Sequence, residues 1–392
     1  RFQRIYLSRV VVIGASTKSL INFRGELLKA LAGAGHEVTA MAGTVAPDVV
    51  KRLSSIGVSF RAYPVQRNGM NPVADLQTFL ALRKVLRELK PDVVLSYTIK
   101  PVIWGGIASK GISRIRFYAL ITGLGFAFNE GKSFKQRMLT MLVSRLYRFS
   151  LSRASRIIFQ NPDNRDFFEQ KHIIDKDKAS LVNGSGVNLA EFTATPLPLG
   201  KDVIFLTIGR LLGAKGFREY TKAACLVKAR YPETIFRLVG PMDPSPDGIS
   251  LAEVEEWQNA GIIQYLGETH DVRPFIADCH VYVLPSYHEG MPRTVLEAMA
   301  AGRPILTTDV PGCRETVVPE KNGFLVPKAD AGVLADRMIW FIENRDKWDR
   351  MGQYSRRLAE EKFDVHRINE NMLDIMGLKV SSAAKKIAAI EN

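Results

Sequence analysis

Little in this chain points to a disulfide framework or a metal centre. Its 392 residues include three cysteines, Cys225, Cys279 and Cys313. That odd number, with no CxxC spacing, fits a reducing compartment better than a cross-linked scaffold. Six histidines form no HExxH pair, and the "DKD" at Asp175 lies in a charged, loop-like stretch that reads as solvated surface. No metal site is expected. Long apolar runs are missing too: no 18 consecutive apolar residues occur, so no segment is expected to span a bilayer. The basic opening "RFQRIYLSRVVVIG" lacks the apolar core and cleavage site of a signal peptide. Residues 1–8 read as an overhang before the first strand.

The other shortage is of acids, and it is local. The net charge is +14; residues 1–200 hold 29 Lys/Arg against 13 Asp/Glu, and residues 201–392 hold 25 against 27. All the excess sits in the first half, where an anionic partner is expected, with nucleic acid and an anionic membrane surface both open. Residues 131–162 contain no acid. There Lys132, Lys135, Arg137, Arg145, Arg148, Arg153 and Arg156 are interspersed with Phe134, Met138, Leu139, Leu142, Leu146, Tyr147 and Phe149. Such a helix either packs its apolar stripe on its own sheet or lies in a membrane interface. The apolar side leaves both open; the missing acids favour an anionic membrane for the basic side.

What is present is strand–helix alternation. The β-branched run "RVVVI" at 9–13 stops at Gly14, followed by the helical pattern "FRGELLKALAGAG" and the strand "EVTAMAG". Strand "VSFRAYPV", helix 73–90, strand "DVVLSY", helix 101–110 and strand "RFYALI" continue it. The polar stretch "AEFTATPLPLGKD" interrupts. The alternation then restarts with "VIFLTIG", helix "GFREYTKAACLVKARY", "TIFRLVG", "IIQYLG", helix 271–278, "VYVLP", helix 292–301 and "PILTTD". Strands alternating with helices predict an α/β chain of two Rossmann-like, doubly wound domains with parallel sheets. Facing each other, these leave a cleft at the carboxyl ends of their strands, where ligands bind. The expected division is 1–190, a linker at 191–202, 203–365, a helix 366–380 crossing back to the first domain, and a tail 381–392.

Two constellations carry chemistry. In "HEGMPRTVLEAMAAGRPILTTDVPG", Glu289 precedes a helix and Glu297 lies inside it. Pro292 suits the first helical position, leaving the amides of Arg293 and Thr294 as donors for a diphosphate at a positive helix end. Glu289 could accept from sugar hydroxyls and Glu297 from the ribose of a nucleotide. Two glutamates alone are more often solvated surface. In "IGRLLGAKGF", however, Gly209 ends a strand, Arg210 follows, and Lys215-Gly216 opens a helix. An arginine and a lysine at those positions can neutralise a leaving diphosphate.

"GRLLGAKG" followed by "VLPSYHEGMPRTVLEAMAAGRPILTTDVPGCRETV" resembles the retaining glycosyltransferases of family 4, which have the GT-B fold. "LLKALAGAGHEV", "GVNLAEF" and "NGFLV" extend the resemblance over nearly the whole chain. "INFRGELLKAL", "SYTIKP" and "LITGLGFAF" look most like bacterial enzymes that extend undecaprenyl-diphosphate-linked sugars, N-acetylgalactosaminyltransferases among them. The resemblance implies a UDP-sugar donor held at Gly14, Gly209, Gly290, Met291, Pro292, Arg293, Thr294 and Glu297. It places Arg210 and Lys215 on the diphosphate and Glu289 on the donor sugar, as the catalytic set. The loop after the first strand departs from the pattern, with Gly14-Ala15 where many members have two glycines. Ser16, Arg24, Lys100, Thr122 and Gly123 are the candidates for the acceptor; Lys100 falls where many members carry a histidine, and its role is left open. No cofactor or metal is expected. The implied partners are a nucleotide sugar, a polyprenyl-diphosphate-linked saccharide and an anionic membrane, with a peripheral place on the cytoplasmic face of the inner membrane.

Rival readings are a UDP-sugar epimerase of similar fold and a glycosyltransferase with a soluble acceptor. A nucleic-acid-binding protein has no recognisable reading module to support it. A NAD-dependent dehydrogenase lacks the GxGxxG spacing in "GASTKSLINFRG".

Overall fold

The computed structural model describes residues 7–66, 69, 71–112, 114–124, 128 and 134–379, the side chains of 135 and 136 excepted. Two units divide the chain: one runs to Ser185 and resumes at His366, the other is Gly186–Val365.

In the first unit, parallel strands β1 (Arg9–Ile13), β2 (Glu37–Ala42), β3 (Val58–Ala62), β4 (Val93–Tyr97), β5 (Arg116–Ile121), β6 (Arg156–Phe159) and β7 (Ala179–Leu181) form one sheet, ordered β3-β2-β1-β4-β5-β6-β7. Between them lie α1 (Thr17–Asn22), α2 (Gly25–Gly33), α3 (Pro47–Ser55), α4 (Pro72–Leu89), α5 (Ile99–Ser109), α6 (Phe134–Leu151) and α7 (Pro162–Gln170). The run "RVVVI" shows no polar alternation because both faces of β1 are covered. Val10 and Val12 enter one core cluster, Val11 and Ile13 the other. Asn71 fixes the start of α4 by accepting from the amides of Val73 and Ala74, with Pro72 just inside the helix. The strand order reverses between β1 and β4, so their carboxyl ends open a crevice.

The second unit repeats the plan. Strands β8 (Ile204–Ile208), β9 (Ile235–Val239), β10 (Gln264–Tyr265), β11 (Val281–Leu284), β12 (Ile305–Thr308) and β13 (Gly323–Val326) run in the order β10-β9-β8-β11-β12-β13. The helices are α8 (Phe217–Arg230), α9 (Leu251–Asn259), α10 (Arg273–Ala277), α11 (Arg293–Ala300), α12 (Ala331–Glu343) and α13 (Trp348–Lys362). Here the reversal lies between β8 and β11.

Three expectations need correction. Residues 191–202 are not a free linker: Phe192 is buried in the second core, and the carbonyls of Thr195 and Pro196 accept from the buried Arg303. The polar, proline-rich composition suggests a tether, but those carbonyls satisfy an interior guanidinium. The chain therefore changes unit at Ser185/Gly186. Ser8 belongs to the fold rather than to an overhang, since its buried amide donates to Nδ1 of His36; residues 1–6 lie outside the described residues. Helix 271–278 shrinks to α10, because Pro274 sits in its first turn and Asp278 ends it.

The chain leaves the second unit beside the place where it entered. Val187 donates to Phe363 O at 2.8 Å, and Val365 to Val187 O at 3.1 Å. The last helix, α14 (Val365–Ile375), then adds Ile368, Met372 and Leu373 to the first unit's core, and the turn after it adds Met376. Arg116 and Tyr118 both donate to Met376 O at 3.1 Å, and Nε2 of His36 to Leu378 O at 2.9 Å. The tail 381–392 lies outside the described residues.

Candidate functional site

The second unit gathers its motif residues at the β8–β11 reversal. Gly209 leaves β8, and the next residue, Arg210, extends an exposed guanidinium that pairs with Asp243. A short turn at Gly213–Lys215 leads into α8. Gly216 joins them at φ +73°, where an added Cβ would fall 2.0 Å from Pro285 O. Only glycine lets the turn pass this close to the end of β11. Tyr287 N donates to Ala214 O at 2.9 Å, lacing the loop after β11 to that turn.

This closeness brings the predicted cation and carboxylate together. Lys215 Nζ lies 2.5 Å from Glu289 Oε1, and Ser286 Oγ donates to the same oxygen at 2.5 Å. The Glu289 side chain is 12% exposed, so its charge is held by these two donors rather than mainly by water. Ser286 is itself fixed, since Thr308 Oγ1 donates to its carbonyl. Beneath them Cys313 is inert: burial pushes its thiol up to about 12, and the nearby Glu289 charge adds to the shift.

At the far end of the pair of glutamates, Glu297 is 6% exposed. Its Oε1 accepts from Arg293 Nε at 2.8 Å, one turn back on α11. Burial raises its pKa, and Arg293 offsets part of that rise. Pro292 is the N-cap, not the first helical residue: its ψ of 104° is extended, and its carbonyl accepts from Val295 and Leu296. Arg293 and Thr294 thus open the helix, and its positive end faces the close of β8. Thr294 Oγ1 donates to Ile208 O at 3.4 Å, and Tyr282 Oη to the same carbonyl at 3.2 Å. Gly290 lies in the connecting loop, while Met291 turns its side chain into the core.

The first unit's candidates share the carboxyl edge of its sheet. Ile13 is level with Ser96, and Tyr97 with Leu120, which puts Gly14, Lys100, Thr122 and Gly123 at one end. Gly14 sits against Tyr97, with an added Cβ 2.3 Å from the phenol oxygen; Tyr63 Oη donates to Gly14 O at 2.8 Å. Ser16 precedes α1 and accepts at its carbonyl from Ser19 Oγ, 2.6 Å away. Arg24 is only 5% exposed, its guanidinium 5.1 Å from the centre of the Tyr97 ring. Tyr97 Oη in turn hydrogen-bonds Ser19 Oγ at 2.7 Å. Lys100 does not stand open to a substrate: its Nζ pairs with Asp75 Oδ1 at 2.8 Å, both side chains being mostly covered. Thr98, just before α5, adopts φ +67° with a β-branched side chain, a strained geometry concentrated at functional crevices.

Two family models match, without overlap. Residues 22–183 match the glycosyl transferase 4-like domain, and residues 191–358 match the glycosyl transferases group 1. The chain belongs to the glycosyltransferases. Among curated proteins it is similar to the N,N'-diacetylbacillosaminyl-diphospho-undecaprenol alpha-1,3-N-acetylgalactosaminyltransferase of Campylobacter jejuni. The identity is 29% over 348 residues, 86% of this chain and 90% of that protein. It is also similar to an Escherichia coli UDP-Gal:alpha-D-GlcNAc-diphosphoundecaprenol alpha-1,3-galactosyltransferase, at 25% identity over 73% of this chain and 76% of that one. Among solved structures, sucrose-phosphate synthase from Thermosynechococcus elongatus superposes with a TM-score of 0.77 at 19% identity, covering 94% of this chain and 98% of that one. Anabaena HepE in complex with UDP-glucose gives 0.75 at 19%, covering 94% and 99%. These likenesses establish the GT-B fold.

Sequence reasoning missed several residues of this candidate site. Asp243 and Ser286 hold Arg210 and Glu289, and Tyr97 backs Gly14. Asp243 had a signal in the run "PMDPSPDG" after β9, where one acid stands between two prolines and a second follows the third. Among the described residues no three His, Cys, Asp or Glu are grouped to hold a metal ion, and no helix is long and apolar enough to cross a membrane.

Proposed function

We propose that this glycosyltransferase moves a hexose or N-acetylhexosamine from a UDP-sugar to a saccharide carried on a polyprenyl diphosphate, with retention at the anomeric carbon. The observation that carries the donor side is the cluster of Arg210, Lys215, Ser286 and Glu289 at the β8–β11 reversal, beside the start of α11. The acceptor side rests on relatives that are named for diphosphoundecaprenol-linked substrates.

In this reading the bond from the anomeric carbon to the donor's β-phosphate oxygen breaks as an acceptor hydroxyl oxygen bonds to that carbon from the same face. The hydroxyl proton passes to the departing phosphate oxygen. Arg210, Lys215 and the end of α11 take up the charge that grows on the diphosphate, which is where electrostatic stabilisation acts most. With that positive charge in place the reaction needs no metal. Glu289, steadied by Ser286, accepts from hydroxyls of the donor sugar and fixes its orientation. Glu297 accepts from the ribose through the oxygen not held by Arg293.

The membrane reading rests on α6. Its inward side buries Val143, Tyr147 and Leu151, yet Phe134, Met138, Met141, Leu142 and Phe149 remain exposed. A helix that satisfies its own core with one stripe and shows a second apolar stripe among exposed arginines suits an anionic bilayer interface. Lys132 lies outside the described residues.

The test is thermal stabilisation across a panel of nucleotide sugars, followed by NMR of the product's anomeric configuration. A donor at 100 times its dissociation constant should add about 2.7 kcal/mol. A panel without any stabilising UDP-sugar, or an inverted product, defeats the proposal.

A further inference from the structure

The loop between β9 and α9, "PMDPSPDGI" at 241–249, has no regular secondary structure, yet it is bound tightly to the segment that carries both site cations. Leu211 N donates to Pro241 O and Ile249 N to Leu211 O, each at 2.9 Å. Gly213 N donates to Asp247 O, and Ala214 N to Asp247 Oδ2, each at 2.8 Å. Three prolines, Pro241, Pro244 and Pro246, restrict its backbone. The loop therefore acts as a frame around residues 210–214.

Asp243 is the residue through which this frame meets the chemistry. Its Oδ1 accepts from Ser245 N at 3.0 Å, which fixes the carboxylate plane, and Oδ2 pairs with Arg210 Nη1. The two partners are unequally covered: the Asp243 side chain is 9% exposed and that of Arg210 44%. A sheltered anion thus holds one corner of the guanidinium on an exposed side chain. An exposed arginine alone samples many rotamers, and fixing one edge of its fork presents the other in a single orientation. Burial works against ionisation of Asp243, but the Ser245 hydrogen bonds and Arg210 outweigh it and hold the carboxyl below its ordinary value. It stays charged at any working pH.

We propose that Asp243 is a positioning residue for the transfer reaction, orienting Arg210 toward the donor diphosphate. This rests on the reading that Arg210 meets that diphosphate. With the Arg210 side chain 44% exposed, the pair contributes little to stability, so its presence beside the motif is better explained by orientation than by folding.

The experiment is a double-mutant cycle on the full chain, with sugar transfer and UDP affinity by calorimetry as readouts. Asp243→Asn keeps the acceptor for Ser245 N but removes the charge that holds Arg210. It should lower kcat/KM for the donor by on the order of ten- to a hundred-fold, weaken UDP, and leave the melting temperature nearly unchanged. Asp243→Glu, which restores the charge one methylene out of place, should recover part of the loss. In an Arg210→Ala background, Asp243→Asn should cost nothing more. An equal loss in both backgrounds overturns the proposal, as does wild-type kinetics for Asp243→Asn. Full activity and UDP affinity in Arg210→Ala alone would instead overturn the diphosphate reading beneath it.

Discussion

Lys215 and Glu289 form a contact pair at 2.5 Å with Ser286 as the third member, so the two ends of the pair can be separated by substitution. On the proposed reading, Lys215→Ala removes a cationic donor from the place where charge develops on the leaving diphosphate. Its effect should fall on the transition state more than on the bound donor, because the bridging oxygen gains charge only as the bond breaks. Loss of one such donor typically costs on the order of 10²–10³ in turnover. The structural cost is far smaller. Glu289 keeps its hydrogen bond from Ser286, so the stability loss is on the order of 1 kcal/mol, or about 2–4 °C for a unit of this size.

Glu289→Gln is the complementary perturbation. The amide oxygen can still accept from Lys215 and Ser286, so shape and melting temperature should hold, while acceptor strength toward sugar hydroxyls falls. Steady-state kinetics with a UDP-sugar and calorimetry with bare UDP separate the effects. Lys215→Ala should lower kcat at least tenfold more than it weakens UDP. Glu289→Gln should abolish most turnover with UDP affinity unchanged. Normal turnover in Lys215→Ala refutes the diphosphate assignment; equal losses of UDP affinity in both variants refute the division of labour.

Other expectations follow from single contacts. Glu297→Gln should weaken UDP through the ribose. Burial raises the Glu297 pKa above 4.5, so folding favours the protonated form, and wild-type stability falls as pH rises from that value through the folded pKa. The melting temperature of Glu297→Gln relative to wild type should therefore climb between pH 4 and 7; a flat difference contradicts the burial argument. Arg303 is fully buried and donates to the carbonyls of Thr195, Pro196, Ile276 and Ala277. Arg303→Ala should cost about 3–5 kcal/mol in denaturant unfolding by stranding those acceptors, and a loss under 1 kcal/mol would mean they find water. Arg137, Arg145 and Arg153 reversed to Glu should release the protein from anionic liposomes, since each basic residue contributes roughly 1 kcal/mol at such a surface. Arg148 is left out of that set because it also donates to the carbonyls of Lys171 and His172. Binding that survives the triple change, or ignores salt, would assign the exposed stripe of α6 another use.

The parts of this fold legible in the sequence are those whose signal is local. "RVVVI" and "RFYALI" are β1 and β5 to the residue, because doubly buried strands need continuous apolar runs and end where polar turns begin. The motif around Glu289 and Glu297 was legible for a similar reason: a turn, a proline and a helix start follow one another within a few residues. What stayed hidden depends on partners far along the chain. β7 is three residues, too short for periodicity to register, and β6 opens with Arg156, inside the acid-free basic stretch that reads as a helix. Residues 191–202 look like a tether because proline and polar residues carry no sign of a guanidinium about a hundred residues later that will take their carbonyls. The same holds at the site. Lys100 and Asp75 lie 25 positions apart, Arg210 and Asp243 33, and Lys215 and Glu289 74. Sequence assigns each charge a ligand to bind; only the folded chain shows that these cations already have carboxylate partners. On the proposed reading, a donor diphosphate shares or exchanges the carboxylate partners of Arg210 and Lys215, and the ease of that exchange sets how much of each cation's charge reaches the transition state.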